Sequence, residues 1–304
     1  MLDLPHDSAP PKPTLLTEYR PPDFLIDEVD LSFSLGEDET IVTSNLVLRR
    51  NPAAGTPHAP LRLDGEELEL LSVALDGAPP LDADRYRVEP DGALILPAVP
   101  DAFRLEIVVR IKPQLNSALS GLYTSGGNFC TQCEAEGFRR ITYFLDRPDV
   151  SAKYRVWIDA DKQRYPVLLS NGNPAEHGDR PDGRHFAIWE DPHPKPSYLF
   201  ALVAGDLVAH RDEFTTRSGK TVPLAIWVRR GDEDKCAHAM ESLKASMRWD
   251  EETYGLEYDL DVFNIVAVSD FNMGAMENKG LNIFNTRYVL ANPDTATDTD
   301  YENI

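Results

Sequence analysis

Two acidic residues two positions apart, Glu134 and Glu136, follow Cys133 in a segment with little apolar content. In an extended backbone, alternate side chains point to the same side, so both carboxylates would face one cation. A carboxylate in a loop is more commonly solvated, and this simpler use of the two residues stays open. The segment is therefore a candidate cation site that its own short pattern does not identify further.

A second candidate segment, Met273-Gly274-Ala275-Met276-Glu277-Asn278, lies between two apolar runs. Glycine lets another chain approach the backbone closely, and an exposed strand edge can pair with an extended peptide. Glu277 would then hold the ammonium group of that peptide. At an effective dielectric near 20, a contact at ~4 Å is worth on the order of 4 kcal/mol before desolvation is subtracted. A β-turn with a solvated Glu277 is the alternative.

The cysteines and histidines give less indication of chemistry. Cys130 and Cys133 form a C-x-x-C pair, but neither a βαβ pattern nor a second pair accompanies it. Ordinary buried thiols are therefore favoured over a redox or zinc site. The seven histidines include no pair at metal-ligand spacing and no H-E-x-x-H motif. This chain is predicted to supply no catalytic residue and no metal ligand of its own.

Strands must position these segments, because most of the chain before residue 206 reads as short strands. Val29, Leu31, Phe33 and Leu35 alternate with polar residues, which is the period of a half-buried strand. Further apolar runs separated by turn signals cover residues 41–48, 68–75, 93–96, 103–111, 154–158, 167–169 and 186–189. The proline-rich run 191–196 is interpreted as a linker. The pattern predicts a mainly β fold, a β-sandwich or a curved antiparallel sheet.

The pattern changes near residue 206, where a mixed domain is predicted to begin. A strand at 222–228 precedes a helix over 232–254, which Gly255 would end, and strands at 262–268 and 281–288 follow. Thr299 and Glu302 fit a capping box, so the chain is expected to be cut at a helix start. The predicted domains are residues 1–206, mainly β, and residues 207–304, the incomplete start of an α+β domain.

Composition excludes several classes of function. The 304 residues carry a net charge of −21, which leaves no basic surplus to neutralise the phosphates of a nucleic acid. No apolar run approaches the ~20 residues of a membrane span, and the N-terminus lacks the basic and apolar regions of a signal peptide. A cytoplasmic protein without nucleic-acid or membrane partners is predicted.

Several longer motifs then resemble one family. Gly274-Ala275-Met276-Glu277-Asn278 is the Gly-Ala-Met-Glu-Asn signature of the aminopeptidase N family of zinc metallopeptidases. The segments 130–139, 143–149, 199–206 and 279–284 resemble the bacterial branch of that family. From about residue 19 to residue 304, the chain is similar to the N-terminal portion of these enzymes and ends before their H-E-x-x-H motif.

This resemblance implies a saddle-like antiparallel β-sandwich followed by the beginning of a thermolysin-like catalytic domain. In the family, residues matching Glu134 and Glu277 hold the free α-amine of the substrate. Gln132 and Met273 match residues that line the same pocket. The backbone of Gly274, Ala275, Met276, Glu277 and Asn278 resembles the strand that pairs with the substrate peptide. The zinc of the complete enzyme would be bound by residues beyond this chain, so the chain alone is predicted to be inactive.

Three interpretations follow from the resemblance and the residues together. The chain is the N-terminal part of an aminopeptidase that hydrolyses N-terminal amino acids from peptides, or it is a naturally short, inactive module that binds peptide N-termini. A purely structural role is the third. An open reading frame encoding H-E-x-x-H beyond Ile304 would favour the first interpretation, and a stop codon there would favour the second.

Overall fold

The computed structural model describes residues 15–304. The N-terminal residues, for which the sequence predicts no signal peptide, lie outside the described part. Fourteen strands precede residue 206: β1 Phe24–Leu35, β2 Thr40–Arg50, β3 Leu61–Leu63, β4 Glu69–Leu75, β5 Arg87–Val88, β6 Leu94–Leu96, β7 Ala102–Ile111, β8 Gly121–Ser125, β9 Asn128–Gln132, β10 Ser151–Asp161, β11 Val167–Ser170, β12 Asn173–Asp179, β13 Arg184–Pro196 and β14 Leu202–Gly205.

These strands form three sheets. One has seven strands in the order β12-β13-β10-β1-β2-β7-β4, one has four in the order β11-β14-β9-β8, and one has three in the order β3-β6-β5. Their pairing is antiparallel except between β1 and β10, which run parallel. The predicted mainly β fold is confirmed, with this one departure from an antiparallel arrangement.

The buried positions of β1 explain why its sequence pattern is clear only in its second half. Val29 and Leu31 are at most 1% exposed and continue an alternating buried face. Phe24 and Ile26 are equally buried but belong to the opposite phase, and the pairing with β2 shifts between Ile26 and Glu28. A β-bulge inserts one extra residue, so it restores the apolar side chains to the same face of the sheet.

The predicted linker at 191–196 is wrong, because these residues are the end of β13. Asp191 pairs with Tyr154, and Pro196 pairs with Ser151 of β10. On the other side, the pairing with β12 ends at Glu190. Prolines beyond that point lie where no second strand requires their missing N–H groups, which is the setting in which a strand tolerates proline.

The remainder of the chain forms a mixed sheet with two α-helices. Its elements are β15 Val208–Thr215, β16 Thr221–Val228, α1 Ala237–Tyr254, β17 Phe263–Val268, β18 Ala275–Met276, β19 Leu281–Asn285 and α2 Asp298–Asn303. The strand order is β15-β16-β17-β19-β18, with parallel pairs at β16-β17 and β17-β19. The predicted helix over 232–254 is confirmed, but a 3₁₀ turn at Glu233–Lys235 precedes α1, and Gly255 ends it with a φ of 68°.

Strand β17 is buried on both faces and joins two hydrophobic cores. Val266 and Val268 pack into the core of the N-terminal sheets, whereas Ile265 and Ala267 pack with Met240 and the other buried residues of α1. A continuous apolar run is the sequence pattern of such a strand, because both faces of its pleat exclude water. The β17 strand therefore holds the mixed sheet against the N-terminal part of the chain.

The division at residue 206 remains a prediction. β14 ends in the four-stranded sheet at Gly205, and β15 begins the five-stranded sheet at Val208. The larger hydrophobic core, however, contains residues from both sides of this point. Sheet membership therefore changes near residue 206, while the packing is continuous.

The predicted capping box at Thr299 and Glu302 is wrong by two residues. Thr297 caps α2: its Oγ1 accepts from the amide of Asp300 at 3.3 Å, and its own amide donates to the Asp300 carboxylate at 2.8 Å. The sequence contains three overlapping Thr-x-x-acid patterns, which begin at Thr295, Thr297 and Thr299, and aspartate can close a capping box as glutamate does. Among residues 15–304, neither helix combines the length and the apolar character needed to cross a membrane.

Candidate functional site

Gln132 is the last residue of a tight hairpin of the four-stranded sheet, and Glu134 follows it. β8 and β9 are joined by Gly126 and Gly127, which both have positive φ, and Gly121 pairs with Gln132 at the open end. Gln132 ends β9 and is only 1% exposed, whereas Glu134 is exposed. The hairpin thus buries the carboxamide of Gln132 and leaves the carboxylate of Glu134 at the surface.

Glu136 does not share the orientation expected for Glu134. Residues 134–137 form a turn instead of an extended strand, and the Gly137 amide donates to the Cys133 carbonyl over 2.8 Å. Glu136 forms an ion pair with Arg139 at 3.3 Å. The idea of two parallel carboxylates is therefore wrong, because the turn ends the alternation on which it depended.

The second candidate segment lies at the edge of the mixed sheet. β18 pairs with β19 through Ala275–Phe284 and Met276–Ile283, and it is the last strand in the sheet order. Its second edge has no partner strand in the described part of the chain. Met276 is fully buried, and Ala275 and Glu277 are exposed, so the alternation places Glu277 on the exposed face of the sheet. Met273 and Gly274, just before the strand, are exposed as well.

Side chains of the N-terminal sheets hold the beginning of this second segment. Tyr123 donates its hydroxyl to the carbonyl of Asp270 at 2.8 Å, and Ser125 donates to the Asp270 carboxylate at 2.7 Å. Asn272 then donates to the Leu119 carbonyl at 3.3 Å. Since Leu119 precedes β8, the segment runs along β8 toward the end where Gly121 pairs with Gln132. The start of the second segment thus lies against β8, the strand that pairs with β9.

Two of the predicted site residues carry buried polar atoms without a hydrogen-bond partner. Both Nε2 and Oε1 of Gln132 and Oδ1 of Asn278 lack one among the described residues, although each residue is only 1% exposed. Buried polar atoms in folded proteins are nearly always bonded to protein or to ordered water. The hydrogen bonds of these three atoms are therefore not supplied by the described residues.

The two exposed carboxylates are likewise available. Among residues 15–304, neither Glu134 nor Glu277 forms an ion pair, whereas Glu136 pairs with Arg139. An unpaired carboxylate attracts a cation, and two of them close together attract it more strongly than one. Each of the two segments therefore presents one exposed carboxylate without an ion-pair partner among the described residues.

The two thiols next to Gln132 are buried and free, as the sequence favours. Burial raises the pKa of Cys130 to about 12. Burial also raises the pKa of Cys133 well above its ordinary value, and the negative charge of Asp146 adds to this effect. Both thiols stay protonated at neutral pH, so neither is a metal-binding or nucleophilic thiolate.

Comparison with known proteins identifies the family. Residues 41–199 match the Peptidase M1 N-terminal domain, and residues 238–304 match the Peptidase family M1 domain. The chain belongs to peptidase family M1. The predicted aminopeptidase N resemblance is confirmed, and the second match begins within α1, so it includes both β18 and Glu277.

Relatives within family M1 cover nearly all of the chain. Aminopeptidase N of Escherichia coli strain K12 is 55% identical over 287 residues, which are 94% of this chain and 32% of that protein. Aminopeptidase N of Caulobacter vibrioides is 55% identical over 294 residues, or 97% of this chain and 33% of that protein. A crystal structure of Legionella pneumophila aminopeptidase A in complex with aspartic acid superposes with a TM-score of 0.90 at 36% identity, over 95% of this chain and 34% of that one. The chain therefore spans about a third of the length of these relatives.

Aminopeptidases of family M1 are metallopeptidases. Among residues 15–304, no group of three His, Cys, Asp or Glu side chains is arranged to hold a metal ion, and His6 lies outside the described part. The described residues therefore offer no set of ligands for a zinc ion, and no chemical step is assigned to a metal held by them.

The sequence-based prediction missed the residues that support the site. Tyr123, Ser125 and Asp270 belong to ordinary strand and turn patterns, and Asn171 appears only as part of an Asn-Gly turn. Their contacts join residues more than a hundred positions apart, and no local pattern marks such pairs.

Proposed function

We propose that this chain forms the part of a zinc-dependent aminopeptidase that receives the free N-terminus of a peptide substrate. The complete enzyme would hydrolyse N-terminal amino acids from peptides. The observations that support this proposal are the exposed carboxylates of Glu134 and Glu277, which have no ion-pair partner among the described residues, and the free edge of β18 next to Glu277.

The proposed roles follow from the chemistry of a peptide N-terminus. Its ammonium would be held by Glu134 and Glu277, since a carboxylate contact at ~4 Å is worth on the order of 4 kcal/mol at an effective dielectric of 20. The unpartnered carboxamides of Gln132 and Asn278 would hydrogen-bond groups of the first residue, with Met273 against its side chain. An internal residue of a peptide lacks the ammonium, so the site would select the chain end.

The edge of β18 would align the rest of the substrate. Backbone groups from Gly274 to Asn278, including Ala275 and Met276, would pair with the peptide as an added strand. With its end held by two carboxylates, the first peptide bond takes a fixed position, and positioning of this kind contributes several kcal/mol to catalysis. Legionella aminopeptidase A, whose crystal structure contains aspartic acid, supports a free α-amino acid as the ligand class.

That the metal of the complete enzyme is zinc is part of the same proposal. The metal would be held outside this chain, so we expect the 304-residue chain to hydrolyse no aminoacyl reporter substrate even with added zinc. Turnover that a chelator abolishes would contradict this.

Three free cysteines fit a reducing compartment, and we propose the cytoplasm as the location.

Calorimetric titration with leucinamide tests the amine site directly. The chain is expected to bind leucinamide but not N-acetyl-leucinamide, and Glu134→Gln and Glu277→Gln are each expected to weaken binding at least tenfold. Glu136→Gln is the matched control, because Glu136 is exposed and already paired with Arg139. Equal binding of the acetylated compound, or equal effects of all three substitutions, would contradict the proposal.

A further inference from the structure

Asn171 occupies the short connection between β11 and β12 and is only 1% exposed. Its carboxamide makes three hydrogen bonds, all to backbone groups. The side-chain Oδ1 accepts from the amide of Ala201 at 2.7 Å, and Nδ2 donates to the carbonyls of Leu199 at 2.9 Å and Lys279 at 3.0 Å. One buried side chain therefore bonds two separate stretches of backbone at once.

The first stretch leads to Gln132. Ala201 precedes Leu202, whose amide N–H donates to the Thr131 hydroxyl oxygen at 2.9 Å. β14 pairs with β9 through Val203 and Cys130, an antiparallel register that brings Ala201 alongside Gln132. The backbone that Asn171 holds on this side is thus the neighbour of the strand that ends in Gln132 and leads into Glu134.

The second stretch carries the other carboxylate. Lys279 lies two residues after Glu277, and its carbonyl is the acceptor for Asn171. The Lys279 ammonium is held separately by the Asp259 carboxylate at 2.7 Å. The amide of Leu281 donates to the carbonyl of Asn278 at 3.0 Å and forms a tight turn. The hydrogen bond from Asn171 therefore holds the backbone only two residues beyond Glu277.

Two glycines allow the backbones to come this close. Gly172 and Gly280 have φ values of 86° and 79°. A Cβ atom added to Gly280 would lie 3.0 Å from the amide nitrogen of Gly172, and one added to Gly172 would lie 2.2 Å from the carbonyl oxygen of Glu190. Neither position accepts a side chain unless neighbouring atoms move. The close approach of the two backbones therefore depends on the hydrogen bonds of Asn171 and on the absence of a side chain at Gly172 and Gly280.

We propose that Asn171 is a positioning residue that sets the placement of Glu277 relative to Glu134. This inference rests on the proposed function, in which the two carboxylates hold one ammonium. Asn171 is buried and its carboxamide is hydrogen-bonded only to backbone groups, so it would act without touching the substrate. It acts by fixing the segment of Glu277 to the sheet of Glu134, and misplacement of a positioned group by about 1 Å can cost roughly a hundredfold in rate.

Asn171→Asp tests the inference with an almost isosteric change. The substitution keeps the acceptor for Ala201 but replaces the donor to Leu199 and Lys279 by an oxygen that repels both carbonyls. In hydrogen exchange followed by mass spectrometry, amides in 271–285 are expected to exchange at least tenfold faster than in the parent chain. The affinity for leucinamide is expected to fall about tenfold.

Asn51→Asp is the matched control. Asn51 is also buried, its Oδ1 accepts from the amide of Ala53, and its Nδ2 donates to the Pro22 carbonyl at 2.8 Å, with no contact to the site. This variant is expected to lose stability without changing exchange in 271–285 or leucinamide binding. A purely structural role for Asn171 would make the two variants behave alike, and that result would overturn the inference.

Gly280→Ala provides a second route if Asn171→Asp does not fold. It separates the same two backbones without altering any side chain of the N-terminal sheets. Faster exchange in 271–285 is again expected, and parent-like exchange in a folded variant would overturn the inference. If the parent chain binds no leucinamide but the exchange results hold, the amine site is wrong while the attachment by Asn171 stands.

Discussion

The two carboxylates proposed to hold the substrate amine are fixed in different ways. Glu134 projects from a turn built on the main hydrophobic core, where Cys133 and Phe138 on either side are fully buried. Glu277 follows a strand of only two residues, and hydrogen bonds from the N-terminal sheets hold its segment at both ends. The Glu134 side of the candidate site is thus fixed by packing in the core, and the Glu277 side is attached by hydrogen bonds.

This difference determines how each side should respond to mutation. A core residue near Glu134 contributes many dispersion contacts, so its loss should destabilise the whole chain. A hydrogen bond that attaches the Glu277 segment contributes about 1 kcal/mol, and its loss should loosen that segment alone. Global unfolding and local exchange therefore distinguish the two sides.

Phe138→Ala is expected to give the largest effect. The ring is fully buried and packs against Phe144 at 4.7 Å, Phe200 at 5.2 Å and Tyr154 at 6.2 Å between centroids. Truncating a buried phenylalanine costs about 3–5 kcal/mol. Urea unfolding should show a loss of stability in this range.

Leu115→Ala is the control for that experiment, because Leu115 is 75% exposed. A change within about 0.5 kcal/mol is expected for an exposed residue of this kind. If Phe138→Ala costs no more than the control does, the turn of Glu134 is not supported by the common core, and the contrast between the two sides fails.

Much of the fold could be predicted from the sequence because local patterns determined it. The alternation from Val29 to Leu35, the apolar run of β17 and the helix ended by Gly255 all reflect which faces of an element are buried. The strand through 191–196 was not predictable in this way, because three prolines there suggest a linker. Only the absence of a β12 partner beyond Glu190 makes them compatible with a strand.

The candidate site depends more on contacts distant in sequence. The Gly-Ala-Met-Glu-Asn motif marks Glu277 by resemblance, but nothing near Asn171 or Tyr123 in sequence indicates that they hold its segment. Such contacts arise when strands from different parts of the chain pack, so sequence periodicity carries no trace of them. The capping error at α2 is of another kind: three overlapping Thr-x-x-acid patterns are present, and the fold uses the one that begins with Thr297.

A buried lysine beneath the Glu134 side allows a pH-dependent test. Lys195 is 2% exposed, and its ammonium lies 3.0 Å from the Asp191 carboxylate and 3.8 Å from the centre of the Tyr154 ring, without hydrogen-bond geometry. Burial lowers the pKa of Lys195 to about 8, against the opposing effect of Asp191. The ordinary value of about 10.5 applies to the unfolded chain.

Between these two values, the unfolded chain holds a proton that the folded chain does not, so Lys195 makes stability rise with pH. The unfolding free energy of the parent chain relative to Lys195→Met is expected to increase by roughly 2–3 kcal/mol from pH 8 to pH 10.5. Urea unfolding of both proteins at several pH values measures it. Taking the difference removes the contributions of cysteines and tyrosines, and a difference that stays constant with pH would contradict the prediction.

The smallest effect is expected on the Glu277 side, from Tyr123→Phe. This change removes the 2.8 Å hydrogen bond to the Asp270 carbonyl and should cost about 1 kcal/mol. Hydrogen exchange in 271–276 is expected to rise about fivefold, because a local cost of this size changes an opening equilibrium by that factor.

Tyr154→Phe is the matched control: the Tyr154 hydroxyl is buried without a partner among the described residues, so its removal should leave stability unchanged or raised. Equal destabilisation by both substitutions would mean that the Tyr123 hydroxyl does not attach the segment, and the distinction between a packed side and an attached side would then have to rest on Asn171 alone.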